Sequence, residues 1–311
     1  MRKYKPADLS KIRTYSAQKR ETKVEFGAFA KPTKKGVSFK TFYESLPSFL
    51  AVNSLKNVVA SIVAAKEKNR PVILGMGAHV IKVGLNPLII DLMKKGVIDC
   101  LVLNGAGAIH DFEVALLGRT SEDVGAGLDN GMFGMVEETM THMNKAINGA
   151  TAKSHEGMGE LLGQKLLSLK APHIKNSLLA QGVKLEIPVT IHVAIGTDTI
   201  HMSPLVDPAC LGRATFNDFR LLCSVIGDLE GGVYLNIGSA VILPEVFLKA
   251  LTVARNLGHR IKSFTTVNMD MLQHYRPRQN VLARPGGQAY ALTGHHEIMV
   301  PLLYQALLES L

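Results

Sequence analysis

Four short runs of almost uninterrupted Val, Ile and Leu constrain this chain more than any other feature. They are residues 71–76 (PVILGM), 99–104 (DCLVLN), 187–196 (IPVTIHVAIG) and 232–238 (GVYLNIG). A strand with one wet face alternates apolar and polar residues, whereas a run without alternation is buried on both faces, as in a parallel sheet. Residues 260–269 and 287–294 predict two more strands. Helix-length segments lie between them at 42–67, 86–95, 130–147, 156–181, 212–226, 244–257 and 296–311. Pro87 and Pro244 stand at helix starts, where a missing N–H costs least. The alternation predicts an α/β fold: a doubly wound, mostly parallel six-stranded sheet with helices on both faces and right-handed crossovers. Residues 105–131 are Gly-rich and read as a long loop. There is no internal repeat.

Charge then divides the chain. The net charge is +9, and residues 1–40 carry 12 Lys/Arg against 3 Asp/Glu, while residues 41–311 carry 23 of each sign. The expectation is a basic arm over 1–40 and a single neutral domain over 41–311. A nucleic-acid partner is disfavoured, because it calls for a basic face on the folded body. Cys100, Cys210 and Cys223 show no CxxC spacing, which argues against a disulfide framework or a Cys-based zinc site and points to a reducing cytoplasm. The charged N-terminus does not read as a secretory signal, and no apolar stretch is long enough to predict a membrane span.

In open parallel sheets, ligands sit outside the carboxyl ends of the strands. The predicted ends carry Gly77-Ala78-His79, Asn104 through Asp111, Gly196-Thr197-Asp198 with His201, Gly238-Ser239, Asp270, and Gly294-His295-His296-Glu297. Small residues beside titratable ones suit a phosphate- or dinucleotide-binding rim. Gly105-x-Gly107 lacks the third glycine of G-x-G-x-x-G, with His110 in its place, and no Walker motif is present. Five of the eleven histidines fall at strand ends: His79, His110, His201, His295 and His296. One or two of them are expected to act as acid or base. His192, Asp198 and His201, or His295, His296 and Glu297, offer metal-ligand types, but without HExxH or HxH spacing no metal is expected. Arg276 is the candidate to grip a substrate carboxylate or phosphate. Met132, Met135, Met140 and Met143 read as core filler on one helix. Thr120 through Asp123 read as a solvated loop or helix cap.

Several of these stretches resemble the deoxyhypusine synthase family. Leu103 through Phe112 is similar to its T-T-A-G-G-V-E-E-D-F segment. Ile187-Pro188-Val189 running to Gly196-Thr197-Asp198 resembles its I-P-V strand and T-D-G-S loop. Gly231 through Leu235 with Ile237-Gly238-Ser239 resembles its G-x-x-x-L-G-G-G strand, and Met299 through Leu303 its F-P-L-L helix. The order and spacing agree over roughly residues 70–310. The resemblance implies a Rossmann-like NAD-binding fold, a homotetramer, and chemistry that begins with NAD-dependent oxidation of a polyamine. By position it implies a cofactor side made of His79, Asn104, Gly105, Ala106, His110, Gly238, Ser239 and His295.

The departures are specific. The family attaches its aminobutyl group to a lysine before the last strand, but Lys262 is the last lysine here and the comparable stretch is Asn280-Val281-Leu282-Ala283. None of these can form an imine. The K-H-H polyamine motif and any tryptophan are also missing. The leading expectation is therefore an NAD-dependent enzyme acting on a small amine or amino acid. Asp198, His201 and Asp270 are its expected catalytic groups, and Arg276 holds the substrate. The alternatives are a nucleotide- or metabolite-binding protein without turnover and, less favoured, aminobutyl transfer from spermidine.

Overall fold

The computed structural model describes residues 3–311. Contacts divide the chain into two compact units, 1–49 and 50–311. The first holds three short 3-10 turns and a helix, Phe39–Ser45, whose start is capped by the Ser38 hydroxyl accepting from the Thr41 N–H at 3.2 Å. Its side chains are largely exposed, Phe26 at 85%. The single helix expected over 42–67 is two, Phe39–Ser45 and Leu50–Glu67. Pro47 forces Leu46 into extended backbone (φ −61°, ψ 147°), which ends the first.

The second unit holds one sheet of six parallel strands: β1 (Val72–Met76), β2 (Cys100–Asn104), β3 (Val189–His192), β4 (Val233–Ile237), β5 (Thr265–Asp270) and β6 (Gln288–Thr293). Their order is β3-β2-β1-β4-β5-β6, and every pair is parallel. This is the doubly wound Rossmann-like arrangement, with its switch point between β1 and β4. Strands β1 to β5 are buried almost throughout, which is why they read as unbroken apolar runs.

Alternate side chains feed two cores. Ile73, Val102 and Tyr234 face helices Pro208–Gly227 and Ile242–Asn256, with Tyr234 stacked on Phe247 at 3.8 Å between ring centres. Val72, Leu74, Leu235 and Ile237 face the other way, with Ile62, Ile89, Val300 and Leu303 from helices Leu50–Glu67, Asn86–Lys94 and His296–Leu308.

Several expected boundaries are corrected. Residues 105–131 are not a loop: Gly105–Leu117 and Val124–Asp129 are helices. Asn104 starts the first by accepting from the Gly107 N–H at 2.8 Å, a cap that offsets part of the glycine penalty of about 1 kcal/mol per residue. The helix expected over 130–147 begins only at Glu137, because Gly131 and Gly134 take left-handed backbone (φ +70° and +74°). Met140 and Met143 are buried as expected, but Met132 and Met135 lie before the helix and are exposed. The segment 156–181 breaks into Met158–Ser168 and Leu178–Lys184 around Pro172. Strand β5 starts at Thr265 rather than 260, since Glu230 takes the N–H groups of Lys262 and Ser263 and Arg255 takes the Ile261 carbonyl.

Candidate functional site

Helix Gly105–Leu117 leaves the end of β2, and the loop from Gly196 to the 3-10 turn Thr199–Met202 leaves the end of β3. Together with residues 119–136 they enclose a cavity of about 560 Å³, within the range of small-molecule sites. Its lining mixes signs: Lys82 and Arg119 with Glu113, Glu122 and Asp198, and His110 among them. Ala106 brings the first turn of helix Gly105–Leu117 into the wall, where N–H groups lack intrahelical acceptors.

Inside the cavity wall, His110 belongs to a three-residue chain. The Thr120 hydroxyl donates to Glu113 Oε2 at 2.5 Å and lies 2.6 Å from His110 Nδ1. A hydroxyl has one proton, and the carboxylate takes it, so Nδ1 must donate to Thr120. The proton is thereby fixed on Nδ1, and Nε2 keeps its lone pair. Thr139 holds the other carboxylate oxygen of Glu113 at 3.2 Å. Burial, helped by Lys82, lowers the affinity of His110 for a second proton, so the ring is neutral near pH 7. A neutral imidazole oriented by a hydroxyl and a carboxylate has the form of a general base.

Asp198 also lines the cavity. Its carboxyl lies in the space a side chain on Gly105 would occupy, with Oδ2 only 2.0 Å from that position. Oδ2 is buried without a hydrogen-bond partner, and burial pushes the group up to about pKa 6. His201 Nε2 stands 3.8 Å from it. His201 Nδ1 accepts from the N–H groups of Gly196 and Asp198, which leaves the ring proton on Nε2, facing the carboxyl.

A second cluster forms at the ends of β1, β4 and β5. His79 Nδ1 and His296 Nδ1 are 3.0 Å apart, and His296 Nε2 is 3.7 Å from Asp270 Oδ1. The His296 ring occupies the space a Cβ on Gly238 would fill. Next to it Asn236 bridges the Ser239 carbonyl and Asn268.

The expected residues therefore separate. Ala106, His110 and Asp198 line one cavity, with Gly105 beneath Asp198, Asn104 capping its helix and His201 against the Asp198 carboxyl. His79, Gly238 and Asp270 meet in the second cluster, where Ser239 accepts from the Leu243 N–H. His295 is exposed at the start of helix His296–Leu308. Arg276 pairs with Glu245 at 3.2 Å, outside the cavity lining. His192 is buried against Thr190 and held neutral. Glu113 and Thr120 were not legible as site residues. Thr120 read as solvated loop, yet it links His110 to Glu113, while Asp123 does cap its helix. The i, i+3 spacing of His110 and Glu113 was the one available signal. Among the described residues no three His, Cys, Asp or Glu side chains converge as a metal would require, and no helix is long and apolar enough to cross a membrane.

No protein-family model matches the chain, and no curated protein matches it. Solved structures do share its fold. A protein of Methanococcus maripaludis S2 described as LOR/SDH aligns with a TM-score of 0.53 at 18% identity, over 84% of this chain and 71% of its own. AgrE in complex with ornithine and NAD+ aligns at 0.51 and 16% identity, over 82% of this chain and 33% of its own. An Entamoeba histolytica protein described as a deoxyhypusine synthase aligns at 0.53 and 12% identity, over 90% and 96%. The chain spans about a third of AgrE. At these identities the likeness establishes a shared α/β Rossmann-like fold.

Proposed function

We infer that this chain binds NAD in the cavity above β2 and β3 and uses His110 to take a proton from a small amine or amino-acid substrate. The observation that carries the reading is the Glu113–Thr120–His110 chain, which leaves a neutral imidazole nitrogen for a cavity of small-molecule size. The residues fit a dinucleotide: a thirteen-residue helix points its N-terminus at the cavity, and Lys82 and Arg119 add positive charge for a pyrophosphate. AgrE, of similar fold, is described with ornithine and NAD+. When bound, NAD supplies the hydride acceptor. His110 Nε2 receives the proton lost from the substrate nitrogen. Glu113 steadies the imidazolium through Thr120. Glu122 and Asp198 supply the negative charge for the substrate ammonium.

Calorimetric titration with NAD+ is expected to give saturable binding, and an amine and amino-acid panel to yield NADH absorbance. His110→Gln should keep NAD+ binding while lowering turnover by about 10²-fold or more, and Thr120→Val should lower turnover less. Absence of heat and of thermal shift at saturating NAD+ overturns the reading. Binding without NADH from any substrate favours the second reading, a metabolite-binding protein. That reading draws on the stretch Arg278–Ala283, where Asn280 donates to Glu245, Val281 is buried and no amine is present.

A further inference from the structure

We propose that Asp270, His296 and His79 form a second proton-transfer site, in which His79 Nε2 takes a proton from a ligand hydroxyl or ammonium group at the switch point of the sheet. Its three side chains lie outside the lining of the His110 cavity. Three elements build it: the last residue of β5, the first residue of helix His296–Leu308, and the short helix Ala78–Lys82 that follows β1.

The wiring follows from the donors and acceptors. Two Nδ1 atoms 3.0 Å apart hold one proton between them, since two lone pairs or two N–H groups repel at that distance. The His296 side chain is 1% exposed; its Nε2 makes no hydrogen bond and lies 3.7 Å from the Asp270 carboxylate, and the Met269 backbone also bears on the ring. An acceptor-only carboxylate facing Nε2 places the His296 proton there. His296 Nδ1 is then the acceptor, and His79 Nδ1 the donor. That leaves His79 Nε2 bare on a half-buried ring. The titratable groups that bear on His296 are Asp270, His79 and Glu297; burial and His79 lower its proton affinity, and Asp270 and Glu297 work against them.

The transfer balances simply. The ligand O–H or N–H bond breaks, its electron pair stays on the ligand atom, and the proton bonds to His79 Nε2. The charge is shared with His296 as the proton between the two Nδ1 atoms shifts, and Asp270 stabilises it. His79 is the group that meets the ligand, while His296 and Asp270 are positioning residues.

The test is imidazole NMR on the full-length, 15N-labelled chain from pH 5 to 8, with His79→Gln and His296→Gln for assignment. The expected result is His296 protonated on Nε2, His79 protonated on Nδ1, and uptake of a single proton by the pair, at His79 Nε2. Asp270→Asn should lower the proton affinity of the pair about tenfold, one pH unit. Asp270→Glu should restore it, a rescue that lost folding would not produce. A His296 proton on Nδ1 in the unmodified chain overturns the proposal, as do two rings that each take up a proton independently of Asp270.

Discussion

Asp198 is a residue kept at a cost. Its carboxyl is buried, its Oδ2 has no hydrogen-bond partner, and it titrates near 6. A carboxyl whose folded value is raised favours the protonated form in the folded state. The penalty is therefore absent below the unfolded value of 3.8, grows as pH rises, and is complete above about 6. A shift of that size corresponds to about 3 kcal/mol at neutral pH. Asp198→Asn is expected to raise the thermal midpoint at pH 7.5, and the two proteins should converge below about pH 4. Thermal unfolding at both pH values reads this directly, and an equal offset at both refutes the strained carboxylate. Residues that destabilise a fold in this way collect at sites of chemistry.

At the scale of elements, the glycines carry different loads. Gly105→Ala puts a Cβ 2.0 Å from Asp198 Oδ2, so the carboxyl or the helix start must move, at about 1–3 kcal/mol. Gly212, within helix Pro208–Gly227, has nothing within 4 Å of that position. Gly212→Ala should stabilise by about 0.5–1 kcal/mol. Chemical denaturation of both variants measures the pair of opposite signs, and a loss of stability in both would refute it. The same contrast explains what the sequence could reveal. Strands β1, β2 and β4 were legible because burial on both faces leaves no alternation to misread. Helix Gly105–Leu117 was not, because Gly105 answers to Asp198, 93 positions along the chain, and Gly107 lies against Asn104 and Leu103. His296 was read as a strand-end histidine, but its pairing with His79 was hidden for the same reason: the two lie 217 positions apart and meet only across the sheet. Thr120 was illegible because its role depends on a turn that brings it back over His110.

On the scale of the whole molecule, charge and chemistry occupy different stretches. Every residue of both clusters lies beyond position 78, in the part where the charges balance. A chain comprising residues 50–311 is expected to unfold in one cooperative step and to keep the histidine titration of the full chain. It should also lose most of its retention on an anionic resin, because 12 Lys/Arg go with residues 1–40. Circular dichroism and salt elution test the two halves of this statement. A truncated chain without a cooperative transition would show that residues 1–49 are needed for folding.

The five-residue helix Ala78–Lys82 carries His79 at one end and Lys82, a wall of the cavity, at the other. Residues three apart on a helix share a side and move together. The two clusters are thus mounted on a common part, and neither can be retuned without disturbing its neighbour. Their substitutions should show epistasis: in a double-mutant cycle, His79→Gln and Lys82→Met should depart from additivity in ligand affinity by about 0.5 kcal/mol or more. Strict additivity would mean that the helix does not transmit strain between them.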